Sequence, residues 1–347
     1  MKKIVLLFLL SCLVIAGCTD QSKYVNEKNG EKYANNTISN SLKEEKRLVN
    51  FVIQSEHIAK NEIDENIEQS IFVYLPPSYY ESEKNYPVVY FLPGFGCSIG
   101  RITVQSAEEL DALMSEQTCE EMIIVEVNGQ SKLGGSFFVN SPVSGNWEDY
   151  IVYEVIPTVD KNFRTIPESN ARGISGFSMG GFSCMNIAMK HPDVFSRVLS
   201  VAPGFLDENE FDIALESWRW DKRFLKSYGA AFSPNLELEY PYANIPSIEL
   251  PESESEIIED WKNGFGYWEN KISKYLELNH SLTGIHIVYG SNDSYKWITS
   301  GCEHVSSLLL ERNIDHTISV NTAGHTIPEN FITDEFAPFF SELKRSN

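Results

Sequence analysis

From Val49 onward the chain alternates short, β-branched apolar runs with stretches of helical character, and this alternation restricts the fold more than any other feature. The pattern predicts strands over Leu48–Gln54, Ile71–Leu75, Val88–Leu92, Met122–Val127, Arg172–Ser175, Arg197–Val201, Ile285–Tyr289 and His316–Val320. It predicts helices over Thr103–Ser115, Trp147–Lys161, Met179–Lys190, Lys296–Arg312 and Pro328–Leu343. Several strands are apolar throughout, as a sheet covered on both faces requires. Strands first, then strict strand–helix alternation, imply an α/β fold with a mostly parallel central sheet of about eight strands. Residues 205–282 break the rhythm. They lie between the sixth and seventh strands and are too long for a simple crossover, so they read as an insertion near one edge of the sheet. The insertion carries Trp218, Trp220, Trp261 and Trp268 and an acidic run, Glu249–Asp260.

The N-terminus has a different character. Lys2 and Lys3 precede an apolar run, Ile4–Ala16, that is too short to span a bilayer. It ends in Ile15-Ala16-Gly17-Cys18, which is similar to the lipobox of bacterial lipoproteins. Residues 1–18 are therefore expected to be a signal peptide, with Cys18 the lipidated new N-terminus. Residues 19–44 are polar and aperiodic and read as a flexible tether to a domain over 45–347. The expected location is the cell envelope, outside the cytoplasm, with membrane contact through that lipid only.

Charge and cysteine content exclude other classes. The net charge of −21 argues against a nucleic-acid partner, whose phosphates call for Lys and Arg. Cys97, Cys119, Cys184 and Cys302 permit two disulfides in three connectivities, or core thiols. No Cys-x-x-Cys pair supports a zinc site, and none of the motifs calls for a metal or a cofactor. The loop Gly94-Phe-Gly96-Cys-Ser-Ile-Gly100 is one residue longer than the dinucleotide fingerprint and lacks Gly-Lys-Ser/Thr.

The chemistry centres on Gly176-Phe-Ser178-Met-Gly180, a Gly-x-Ser-x-Gly between a strand and a helix. A sharp strand-to-helix turn exposes the Ser178 hydroxyl, and small flanking residues permit the close backbone approach. A serine hydroxyl needs a base, and the base needs an orienting carboxylate. In α/β-hydrolases these follow in the order Ser, acid, His. His325 follows the last strand and precedes the final helix. Asp293 lies in the loop after the strand Ile285–Tyr289, 32 residues before His325. The other histidines fall at a helix end, within strands, mid-helix or in a polar loop.

These residues, with Val73-Tyr-Leu-Pro-Pro-Ser-Tyr79, Tyr86–Leu92, Gly134-Gly-Ser-Phe-Phe-Val-Asn140, Gly145-Asn-Trp-Glu-Asp-Tyr150 and Asp160-Lys-Asn-Phe-Arg164, carry a resemblance. The chain resembles the esterase-D-like family of the α/β-hydrolase superfamily from about residue 47 to 345. The resemblance implies a Ser178–Asp293–His325 triad and an oxyanion hole of the Phe95 and Met179 backbone N–H groups. It also puts Asn140 and Trp147 on loops bordering the active site. Pro93 stands where the family has a polar residue, which touches the substrate more than the catalysis. The implied activity is a serine esterase acting through an acyl-enzyme on a small-molecule or glycan ester, with acetyl or feruloyl as candidate acyl groups. An acyltransferase to a sugar hydroxyl uses the same triad. A glycan-binding lipoprotein with a dead site is the reading from another class. For the insertion's tryptophans two readings stand: a platform for a sugar or phenolic ring, and the core of a lobe.

Overall fold

A computed structural model describes residues 47–345; the expected signal peptide, Cys18 and the tether lie outside the described residues. Eight strands form one sheet: β1 (Leu48–Gln54), β2 (Glu68–Tyr74), β3 (Val88–Leu92), β4 (Ile123–Val127), β5 (Arg172–Phe177), β6 (Arg197–Val201), β7 (Gly284–Gly290) and β8 (Thr317–Asn321). Their spatial order is β1-β2-β4-β3-β5-β6-β7-β8. β2 is antiparallel to β1 and β4, and every other pairing is parallel. The mostly parallel eight-stranded sheet expected from the alternation is the one observed.

The apolar runs are explained by the two cores. Val88, Tyr90 and Leu92 of β3 join one cluster with Phe182 and Met185, while Val89 and Phe91 join the other with Leu110 and Phe340. Successive side chains point to opposite faces, and both faces are covered, so every position of β3 is buried. On one face lies α1 (Ala107–Ser115) with the C-terminal helical segment; on the other lies α3 (Met179–Lys190).

Two predicted helices are interrupted. The stretch from Trp147 runs through a π-type segment, Tyr150–Val155, before α2 (Ile156–Asn162), and the stretch near the C-terminus does the same over Ile332–Phe336 before Ala337–Phe340. Each wide turn runs into a proline, Pro157 or Pro338, which has no N–H for the regular ladder.

Between β6 and β7 the insertion folds into four helices: α4 (Phe211–Trp218), α5 (Lys222–Phe232), α6 (Ser255–Phe265) and α7 (Trp268–Leu276). Asp221 caps α5 by accepting from the N–H groups of Arg223 and Phe224. The lobe is knit by aromatics. The Tyr228 hydroxyl donates to the Trp261 carbonyl and accepts from the Phe265 N–H, both at 2.8 Å. Trp261 and Trp268 are wholly buried, so they are lobe core. Trp220 is 81% exposed and Trp218 turns toward the sheet loops. Helix α8 (Lys296–Glu311) then links β7 to β8. Cys119, Cys184 and Cys302 are buried free thiols, so no disulfide joins any two of Cys97, Cys119, Cys184 and Cys302.

Candidate active site

Ser178 sits between β5 and α3 with φ 55° and ψ −112°, a conformation that costs energy in a non-glycine residue. The turn is held by its surroundings. The Ser178 N–H donates to Val201 O at 2.9 Å, and Ser178 O accepts from Phe182 and Gly204. A Cβ at Gly176 would collide with the Gly180 carbonyl, and one at Gly180 with that of Leu92. The glycines of Gly-x-Ser-x-Gly are therefore there to let β3, β5 and α3 close up behind the serine.

His325 and Asp293 come to this serine from two loops tied to each other. Ser291 N–H donates to Asn321 O at 2.8 Å, Asn292 Nδ2 to Thr322 O at 2.8 Å, and Gly290 leaves no room for a side chain beside Ala323. His325 Nδ1 lies 2.8 Å from Asp293 Oδ2, and its Nε2 lies 2.8 Å from Ser178 Oγ. With the Nδ1 proton donated to the carboxylate, Nε2 is left as acceptor for the serine hydroxyl. Asp293 is fully buried, and its second oxygen accepts from the Tyr295 N–H at 2.8 Å. The imidazole lies between Phe177 and Tyr295, with ring centroids 5.1 Å and 5.0 Å away. Position, tautomer and orientation of the histidine are thus all fixed.

Phe95 and Met179 line the same cleft as Ser178 and His325. Among the described residues neither backbone N–H has a hydrogen-bond acceptor, so both donors remain available. Gly134 and Gly135 back them up. A Cβ at Gly135 would stand 2.6 Å from both the Met179 sulfur and the Phe95 ring, and Gly96 N–H donates to Gly134 O at 3.1 Å. The far end of the Gly94–Gly100 loop is anchored by Glu126, fully buried on β4. Its carboxylate accepts from the N–H groups of Arg101, Ile102 and Thr103 and from the Thr103 hydroxyl. Burial pushes this carboxyl above its usual range, and those hydrogen bonds pull against the rise.

The cleft encloses about 640 Å³ with its open side included. The sheet loops make its floor and the insertion its wall: Trp218, Phe224 and Phe265, joined by Trp297 of α8. The sequence did not single out Phe224, Tyr295 or Trp297. The aromatic spacing after Asp293, in Tyr295-Lys-Trp297, is the one signal that could have found the last two.

The structure does not bring Asn140 and Trp147 to this cleft. Trp147 is wholly buried, donates from Nε1 to Ser144 O and packs edge-on against Phe138 and Tyr150, so it is a packing residue. Asn140 is exposed and exchanges hydrogen bonds with Asp149. Three of the other histidines are occupied elsewhere: His191 with Glu148, His286 with Glu335, His316 with Ser306.

The Esterase family model matches residues 62–237, half of the chain. The chain belongs to the Esterase family. An esterase of Mycobacterium tuberculosis is 32% identical over 134 residues, 37% of this chain and 27% of that protein. An S-formylglutathione hydrolase of Arabidopsis thaliana is 30% identical over 144 residues, 38% of this chain and 50% of that protein. The match spans half or less of either relative. A solved ferulic acid esterase superposes with a TM-score of 0.55 at 18% identity, over 85% of this chain and 97% of that one, which shows the common fold.

Proposed function

We propose that this Esterase family member is a serine esterase of the cell envelope that hydrolyses an aromatic acyl ester of a carbohydrate, of the feruloyl type, through an acyl-enzyme. The observation that carries the reading is the unbroken relay from Ser178 to His325 to Asp293, both links at 2.8 Å. Ser178 Oγ attacks the ester carbonyl as His325 Nε2 takes its proton. Asp293 stabilises the resulting imidazolium without taking the proton itself. The Phe95 and Met179 N–H groups receive the oxyanion, each worth about 3–4 kcal/mol by analogy with a removed oxyanion donor. His325 then returns the proton to the leaving sugar hydroxyl, and a water activated by the same imidazole releases the acid. An aromatic acyl group suits the walls of Trp218, Phe224, Phe265 and Trp297. The lipid on Cys18 would hold the domain at the membrane through residues 19–44.

A fluorophosphonate probe should label the wild type and not Ser178→Ala, whose kcat on aryl esters should fall roughly 10⁴–10⁶-fold. An unlabelled wild type with no turnover of any aryl ester would sink the reading. Feruloyl against acetyl esters of one sugar tests the acyl group, and equal kcat/KM would remove the aromatic preference. Cys18→Ala should move the protein out of the membrane fraction.

A further inference from the structure

A second hollow lies along the flank of α3. Phe182, Asn186, Met189 and Lys190 line it, spaced so that they share one helical face. It encloses about 1240 Å³, open side included, and is closed on the far side by α5 and α7 of the insertion. The rings of Phe182, Phe232 and Phe265 form a partition with the Ser178 cleft, since Phe182 and Phe232 line this cavity and Phe265 lines the cleft. Phe182 stands 4.7 Å from Phe265 and 5.9 Å from Phe232 between centroids.

Two observations set this cavity apart from ordinary surface. Asn186 is only 5% exposed, lines the hollow, and among the described residues its side-chain amide has no hydrogen-bond partner. Its amide therefore has donors and an acceptor to offer an occupant of the hollow. The second is charge. In a chain of net charge −21, three ammonium groups, Lys190, Lys271 and Lys274, converge here against one carboxylate, Glu148. Glu148 is already held by Lys190 at 2.6 Å and His191 at 3.1 Å. Lys271 donates only to the neutral carbonyls of Asn263 and Gly266, and neither it nor Lys274 has a carboxylate partner among the described residues. The floor, by contrast, is apolar: Phe182, Met189 and Phe232.

We propose that this cavity binds an organic carboxylate carrying an apolar body. The carboxylate would lie against Lys271 and Lys274, the apolar body on the Phe182–Phe232 floor, and the Asn186 amide would take up a polar substituent. Burial and the neighbouring lysines hold the Lys271 ammonium down to about 7, a strain that a bound anion relieves. The site is separate from the chemistry at Ser178, so the proposal does not depend on the esterase reading.

The test is calorimetric titration of the full chain with 3-phenylpropionate and with 3-phenylpropan-1-ol, which lacks the charge. Wild type should bind the acid and discriminate against the alcohol by about tenfold or more. Lys274→Glu, at an exposed position that folding tolerates, should weaken the acid by a similar factor and leave turnover of a small aryl ester unchanged. No saturable binding, equal affinity for acid and alcohol, or an acid affinity indifferent to Lys274→Glu each overturns the proposal.

Discussion

Helix α3 has a hollow at its N-terminal end and another along its flank, and the two are built on opposite principles. In the cleft at the end of the helix the buried polar side chains satisfy one another: Ser178 with His325, His325 with Asp293, Asp293 with the Tyr295 N–H. Among the described residues, the backbone N–H groups of Phe95 and Met179 are left without acceptors. In the cavity along the flank, the amide of Asn186 and the charges of Lys271 and Lys274 lack matching partners among the described residues. A site completed in advance by its own groups is suited to a charge that exists only during reaction, because nothing needs reordering when it appears. A site with unmatched groups is suited to a ligand that arrives already charged.

The largest test of this contrast is Asp293→Asn. The packing around the buried position stays the same, but the amide no longer fixes the His325 tautomer, and kcat should fall by about 10⁴. A loss below tenfold would mean that the relay of 2.8 Å contacts is not what drives the serine. Gly135→Ala comes next. Its methyl would press on Phe95 and Met179 together, shifting the two donors while leaving the triad untouched. A displacement on the order of 1 Å should lower kcat by about 10²-fold with little change in KM. An unchanged kcat would remove those N–H groups from the mechanism. Trp218→Ala acts on the wall. It should raise KM for an aromatic acyl ester by about tenfold or more and leave an acetyl ester nearly unaffected, consistent with the ~1–3 kcal/mol that a lost apolar contact commands in a pocket. Equal losses on both esters would make Trp218 a scaffold for the lobe instead.

The sheet and the loops of the candidate site were legible because their constraints are local. β3 had to be apolar at every position since both its faces are covered, and Ser178 was marked by glycines that backbone crowding demands. Asp293 and His325 were found from their places after particular strands. The insertion was legible only as an interruption. Which of its tryptophans pack the lobe and which face the cleft depends on how four short helices meet, and Trp218, Trp261 and Trp268 have similar sequence surroundings but different neighbours. Trp147 shows the same limit from the other side. Its motif belongs to the family pattern, yet its indole is spent on Ser144 O and on the core. The flank cavity had no sequence signature, because Asn186, Lys190 and Lys271 are brought together only when α3 and α7 pack.

The smallest effect is also the one that isolates the flank cavity most directly. Lys271 titrates near 7 in the folded protein, against 10.5 ordinarily, because burial and then Lys190 and Lys274 disfavour its charge. Between those two values the unfolded chain binds more protons than the folded one, so stability should rise as pH increases through this window and fall back as pH drops to about 7. Lys271→Met removes that slope. The quantity to measure is the difference in Tm between wild type and Lys271→Met as a function of pH, in which the other titrating groups largely cancel. The wild type should gain on the variant from neutral to alkaline pH. A saturating carboxylate that returns Lys271 to its charged form should flatten the gain, whereas the same measurement with the Ser178 cleft altered by Trp218→Ala should leave it intact. Parallel pH profiles for wild type and Lys271→Met would mean that the lysine is solvated, and that the flank of α3 carries no stored charge for a ligand to relieve.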